Sequence, residues 1–388
     1  MPVLIDLDLA PAPAHRPAAV PRRLPVWLAG ALLLFLGGAA APQRAQAVRP
    51  VAVVEGVVLA TVLTQTQLFT ALVRPGSPDE AEVGAVPLTA GAPAWTARVS
   101  APGSEVRLSR SGSVVVVTTE DEVTVLDARS GALRWHDSAS VLRVLGDRAV
   151  RTEYDDEDGS TTWLDVESGR PLWSSPGAGD FAERDPAGRH LFTMDYDGNA
   201  VVRDTADGRV LATRRLEVFP DGERPVVTMA GDRAYLFKGS SLLAVRLSDL
   251  KPVWETEAAL PYAVQVCGAL LCMTDRRGVT GLDPAGGWVR WHAPRWISYA
   301  DGVASTNEGR TVLLDPATGR VTRELGHGAP AGDLMVRIAE GPTWILGLRT
   351  GELLGRMPGV VPFGCVSTGR LLGCRTAGMS FTVWSVGG

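Results

Sequence analysis

Leu126-Asp127-Ala128-Arg129-Ser130-Gly131-Ala132-Leu133-Arg134-Trp135 is the phrase around which the chain is built. It returns as Leu164-Asp165-Val166-Glu167-Ser168-Gly169-Arg170-Pro171-Leu172-Trp173 and as Leu282-Asp283-Pro284-Ala285-Gly286-Gly287-Trp288-Val289-Arg290-Trp291. A fourth copy, Leu314-Asp315-Pro316-Ala317-Thr318-Gly319, has Arg323 in the tryptophan slot. Looser copies run from Val86 to Trp95, Asp204 to Gly208, Val245 to Trp254 and Leu346 to Gly351. Each phrase reads as strand, tight turn, strand. An apolar run ends at the Asp, whose carboxylate can accept backbone N–H bonds two residues on, and Gly supplies the positive φ that closes the loop. The following strand carries a Trp whose large face needs a neighbour to bury it.

With the glycine slot as ruler, the copies stand at 91, 131, 169, 208, 250, 287, 319 and 351, Leu250 replacing Gly once. The steps are 40, 38, 39, 42, 37, 32 and 32 residues. That period suits one four-stranded propeller blade and is too long for a leucine-rich repeat. The chain is therefore expected to be all-β. Toward the C-terminus, Val360 to Val366, Arg370 to Cys374 and Phe381 to Trp384 give three strands with no fourth after them. A ring must close, because an open blade edge leaves unpaired backbone. The strand around Trp95 is the expected closing partner, giving eight four-stranded blades, with seven as the alternative.

The 388 residues carry a net charge of −5, which argues against a nucleic-acid surface. Lys238 and Lys251 are the only lysines, a bias of GC-rich, actinobacterial coding. Residues 1–23 are Pro- and Ala-rich and read as a flexible tail ending in Arg22 and Arg23. From Leu24 to Gln43 there is no charge, a length just sufficient to span a bilayer as a helix. Arginines before the span place the tail in the cytoplasm and the remainder outside. The expected organisation is thus a cytoplasmic tail over 1–23, a single transmembrane helix over 24–43, a linker with first strands over 44–83 and the propeller over 84–388. The competing reading is secretion after cleavage at Ala45-Gln46-Ala47.

The Asp, Ser/Thr-Gly and Trp phrase resembles the tryptophan-docking motif of the pyrroloquinoline quinone (PQQ)-like propeller superfamily, over roughly residues 84 to 386. That superfamily includes quinoprotein alcohol dehydrogenases and the propeller lipoprotein of the outer-membrane assembly machinery. The resemblance implies docking of one blade against the next by Trp95, Trp135, Trp173, Trp254 and Trp291, over turns shaped by Asp127, Asp165, Asp283 and Asp315 with Gly131, Gly169, Gly287 and Gly319. Ala212, Arg323 and Gly355 depart from the pattern, so weaker contacts are expected there.

Four cysteines fall where other repeats carry their first hairpin. Cys267 with Cys272 and Cys365 with Cys374 are expected as local disulfides, in keeping with an extracytoplasmic location. Zinc is the alternative, without C-x2-C spacing or nearby histidines to support it. The acidic run Tyr154 to Gly159 has the composition of a calcium loop but puts Tyr154 in a ligand slot, so a solvated hairpin is the expected reading. The five histidines are scattered, Asn199 and Asn307 sit beside turn glycines, and neither a P-loop nor a dinucleotide fingerprint is present. The adjacent cysteine pair of the quinoprotein dehydrogenases is missing. These features favour a non-catalytic scaffold without cofactor or metal, binding an envelope protein or ligand through propeller loops or funnel. The alternatives are a PQQ-dependent dehydrogenase or its degenerate relative, and an extracellular ligand sensor.

Overall fold

A computed structural model describes residues 48–387 apart from 78, 102–104, 120–121, 139–140, 155–158, 178, 218–225, 339–341 and 377. The tail at 1–23, the apolar span at 24–43 and the cleavage pattern at 45–47 lie outside the described residues, as does the centre of the acidic run. Among the described residues, no helix is long and apolar enough to cross a membrane.

Every regular element described is a β-strand. The strand Val114–Thr118 shows why: its four successive valines are all buried, because the middle of a blade packs against a neighbour on both faces. Strands pair antiparallel with the next in sequence, giving blades over 58–100, 107–137, 141–176, 181–215, 227–257 and 263–293, numbered one to six. One long strand of 11 residues serves two blades. Val321–Ala331 closes blade seven, which begins at residue 298, and then opens blade eight, which ends at 357. It passes from one sheet to the other between His327, paired with Arg310, and Gly328, paired with Arg337, where a Cβ on Gly328 would collide with Val336 O. Blade nine takes its first three strands from residues 366–385 and its fourth, Arg49–Val54, from the start of the described chain, paired from Arg49 with Ser385 to Val54 with Phe381.

The expected count of eight is thus corrected to nine four-stranded units among the described residues. The strand carrying Trp95 does not close the ring, because it pairs with Glu80–Pro87 inside blade one. The closing strand is Arg49–Val54, which has no phrase turn before it and Ala52 opposite Val383, the pairing held by Trp135 and Val125 in blade two.

Each neighbouring pair around the ring shares its own buried apolar cluster, including the closing pair, where Val54 and Phe381 of blade nine meet Val58 and Leu68 of blade one. Burial is what holds the blades together, since no backbone ladder crosses between most of them. First-to-second hairpins and the phrase turns project on one face, called here the turn face. Second-to-third hairpins and the connections between blades lie on the opposite face. Blades two to eight all show a register slip just before the phrase turn, such as Val125/Leu126 and Trp163/Leu164, which sets the turn across the strand ends.

Candidate functional site

The repeated phrase builds a seam between blades. In the phrase turns of blades two to eight the backbone N–H at the Gly slot donates to the carbonyl four residues before it, as from Gly131 to Asp127 and Gly169 to Asp165, both at 2.8 Å. Asp127 Oδ1 accepts from the N–H of Arg129 and of Ser130 at 3.0 and 2.9 Å, which rigidifies the loop. The indole of the preceding blade then lies over the glycine. Trp95 Nε1 donates to Ala128 O at 3.0 Å, Trp135 to Val166 O at 2.8 Å and Trp173 to Thr205 O at 3.0 Å. Trp254 donates to Pro284 O and Trp291 to Pro316 O, both at 2.9 Å. A Cβ at Gly131, Gly169, Gly287 or Gly319 would come within 2.4 to 2.7 Å of an indole carbon. Gly208, beneath Trp173, is held in the same way. The glycine therefore answers both to its positive φ and to the ring above it.

The departures from the phrase follow the same geometry. Between blades four and five the Trp slot is Ala212 and the next Gly slot is Leu250, which is fully buried, has φ 53° and packs in one cluster with Ala212. A large residue has moved from one side of the seam to the other. Between blades seven and eight, Arg323 lies over Gly351 in the place of an indole. Gly355 stands in blade eight, whose neighbour is blade nine; the fourth strand of that blade comes from the N-terminal side, so there is no phrase turn for a tryptophan to cover. The sequence marked these positions as weak, but the exchange of bulk between Ala212 and Leu250 was visible in it only as two separate exceptions.

The recurring aspartates are engaged within their own blades. Arg134 and Ser130 hold the Asp127 carboxyl down to about 2, and the Arg290 guanidinium holds Asp283 below the ordinary carboxylate range. Arg148 bonds Asp165 at 2.9 Å, and Thr318 Oγ1 donates to Asp315 at 2.9 Å. Asn199 donates from Nδ2 to Asp195 at 2.7 Å. Cys267–Cys272 and Cys365–Cys374 are disulfides. In the second, Cys365 stands just before the strand that begins at Val366, the partner of Gly373, whereas Cys267 lies diagonal to Cys272, which is itself opposite Gln265. Among the described residues no group of three His, Cys, Asp or Glu could hold a metal ion.

On the first strands, polar side chains tie one blade to the next. Thr228 donates to Val264 O at 2.8 Å, Gln265 to Tyr299 O at 2.7 Å and Ser367 to Ala331 O at 2.6 Å. Glu183 stands 3.8 Å from Arg143, and burial pushes its carboxyl above the usual range. One basic residue escaped the sequence reading. Arg203, 2 % exposed, occupies the apolar slot before Asp204 and donates to Thr193 Oγ1 and Pro176 O. A cavity of about 760 Å³ opens between blades four and five on the opposite face, lined by Gly198, Arg215, Lys238, Ser241, Glu255 and Glu257.

No curated protein matches the chain. Among solved structures, a eukaryotic initiation factor is 13% identical, with a TM-score of 0.54 over 81% of this chain and 90% of that one. BamB from Moraxella catarrhalis is 17% identical, with a TM-score of 0.46 over 87% of this chain and 99% of that one. A europium-containing methanol dehydrogenase is 10% identical, with a TM-score of 0.43 over 88% and 93%. At such identities these likenesses concern the fold alone. The family model described as outer membrane protein assembly factor BamB matches residues 79–293, more than half of the chain and most of its phrases. The chain belongs to this family of PQQ-like propellers.

Proposed function

We propose that the chain is a non-catalytic propeller scaffold, anchored by the apolar span at 24–43 with the propeller outside the cytoplasm, that binds another protein or ligand of the cell envelope. The observation that supports this reading is the use made of the repeat residues. The tryptophans, aspartates and glycines that recur are engaged in turns and seams, which leaves the variable loops and the funnel mouth as the surfaces to recognise a partner. The family description, an assembly factor, accords with a role in holding other proteins. The two disulfides fit an oxidising compartment.

Protease added to intact protoplasts tests the topology, with loss of the propeller expected and its protection contradicting it. Cross-linking in intact cells through loops of both faces then tests the scaffold role. A discrete adduct with one envelope protein is expected; failure to form one from any loop contradicts the reading.

A further inference from the structure

The opposite face of blade nine presents apolar side chains to solvent at some conformational cost. Phe363 is 62% exposed, Met379 69%, Val57 47% and Val361 43%. They come from three separate segments brought together by short-range bonds. Val361 N donates to Arg375 O at 3.0 Å, Val360 bridges Thr376, Met379 N donates to Thr376 O, and the Arg375 guanidinium reaches Val58 O. The Cys365–Cys374 disulfide fastens the loop that carries Phe363 to the same strand. Met379 has φ 62°, a left-handed conformation that a long side chain adopts only against steric resistance and that Gly378 beside it would adopt freely. A strained, exposed methionine on a hairpin tied to the segment of an exposed phenylalanine is a poor solution for a solvated loop and a reasonable one for a surface that meets something.

The charge around it indicates what that is. At this end of blades eight and nine, Arg337, Arg356 and Arg375 are exposed and form no ion pair with a described residue. Acids lie on the other side: Glu55, beside Val57 on the adjoining connection, and exposed Asp79 on the second-to-third hairpin of blade one, where Arg74 is already paired with Glu80. The patch is therefore apolar with a basic margin on the side of blades eight and nine, on a chain whose net charge is −5.

Resting on the scaffold reading, we propose that Val57, Val361, Phe363 and Met379, with Arg375 at their margin, form the docking site for a polypeptide segment that combines apolar and acidic side chains. The apolar groups supply the buried contact and the arginines select for acid over base.

The full chain in detergent micelles, panned against a random short-peptide library, tests this. Peptides enriched in Leu or Phe together with Asp or Glu are expected, and they should bind the Phe363→Ser, Met379→Gly double variant at least about tenfold more weakly. Met379→Gly relieves the backbone, so the melting temperature of that single variant should be unchanged or raised, which separates lost binding from lost folding. Basic peptides, peptides that bind wild type and variant alike, or no enrichment would each overturn the proposal. So would variant-sensitive capture on phosphatidylglycerol-coated beads without peptide enrichment, which would indicate a bilayer as occupant. An envelope-protein adduct formed from other loops but not from position 363 would sink this site and leave the scaffold reading standing.

Discussion

Gly169→Ala should destabilise the ring through two separable effects, and the structure assigns a magnitude to each. Gly169 has φ 67°, and a methyl group there carries the left-handed penalty of roughly 1–2 kcal/mol. The new Cβ would also lie 2.7 Å from Trp135 Cγ, with Cδ2 and Cδ1 at 2.8 and 2.9 Å. The indole must lift from the turn, losing the bond from Nε1 to Val166 O and part of its burial, together roughly 2–3 kcal/mol. Gly169→Ala should thus cost roughly 3–5 kcal/mol in all. Trp135→Ala alone should cost roughly 2–4 kcal/mol, because this indole is only half-buried; Trp173, 9 % exposed, should cost roughly 3–5 kcal/mol. In the Trp135→Ala background Gly169→Ala meets no indole, so only the backbone penalty remains. The double-mutant cycle, read by denaturant unfolding of the full chain, should show a coupling of roughly 2–3 kcal/mol. Additive effects, within about 0.5 kcal/mol, would refute the docking argument.

The remaining expectations concern the exceptions and the charges. Leu250→Gly should leave a void beside Ala212 and cost roughly 2–4 kcal/mol, while adding Ala212→Trp should recover most of that loss; a double variant that melts below Leu250→Gly would contradict the exchange of bulk. Because the folded Asp127 carboxyl is held at about 2, its stabilisation is present above the ordinary carboxylate range and lost as pH falls from about 4 toward 2. The stability gap between wild type and Asp127→Asn, followed by urea titration, should be flat near neutrality and close in that acid window; a gap that widens in acid has the wrong sign. Cys267→Ser with Cys272→Ser should lower stability by roughly 2 kcal/mol, as expected of a short closed loop, and an unchanged unfolding midpoint would contradict it.

The parts of the fold legible in the sequence are those where chemistry is local. A phrase of Asp, Ser or Thr, Gly and Trp encodes its own turn, so the spacing of turns announced four-stranded blades. The blade count was harder to read, because closure depends on a pairing more than 330 residues apart in sequence, between Arg49 and Ser385, and the strand concerned has Ala52 in place of a tryptophan. The two 32-residue steps look thin for a separate reason. Blade seven begins with strands of three residues, and blade eight borrows its first strand from Val321–Ala331. Buried Arg203 and the Leu250 exchange are matters of packing between blades, which a single phrase does not encode. The exposed group around Phe363 was equally hidden, since its members are assembled from three distant segments.

The repeat residues hold blades together, and in the reading proposed above the propeller presents surfaces instead of a redox centre. The most direct measurement is artificial dye reduction by the purified full chain, incubated with PQQ and calcium and offered a panel of alcohols and sugars. No turnover above a heat-killed control is expected. Cofactor-dependent dye reduction would contradict that reading and make the chain a quinoprotein enzyme.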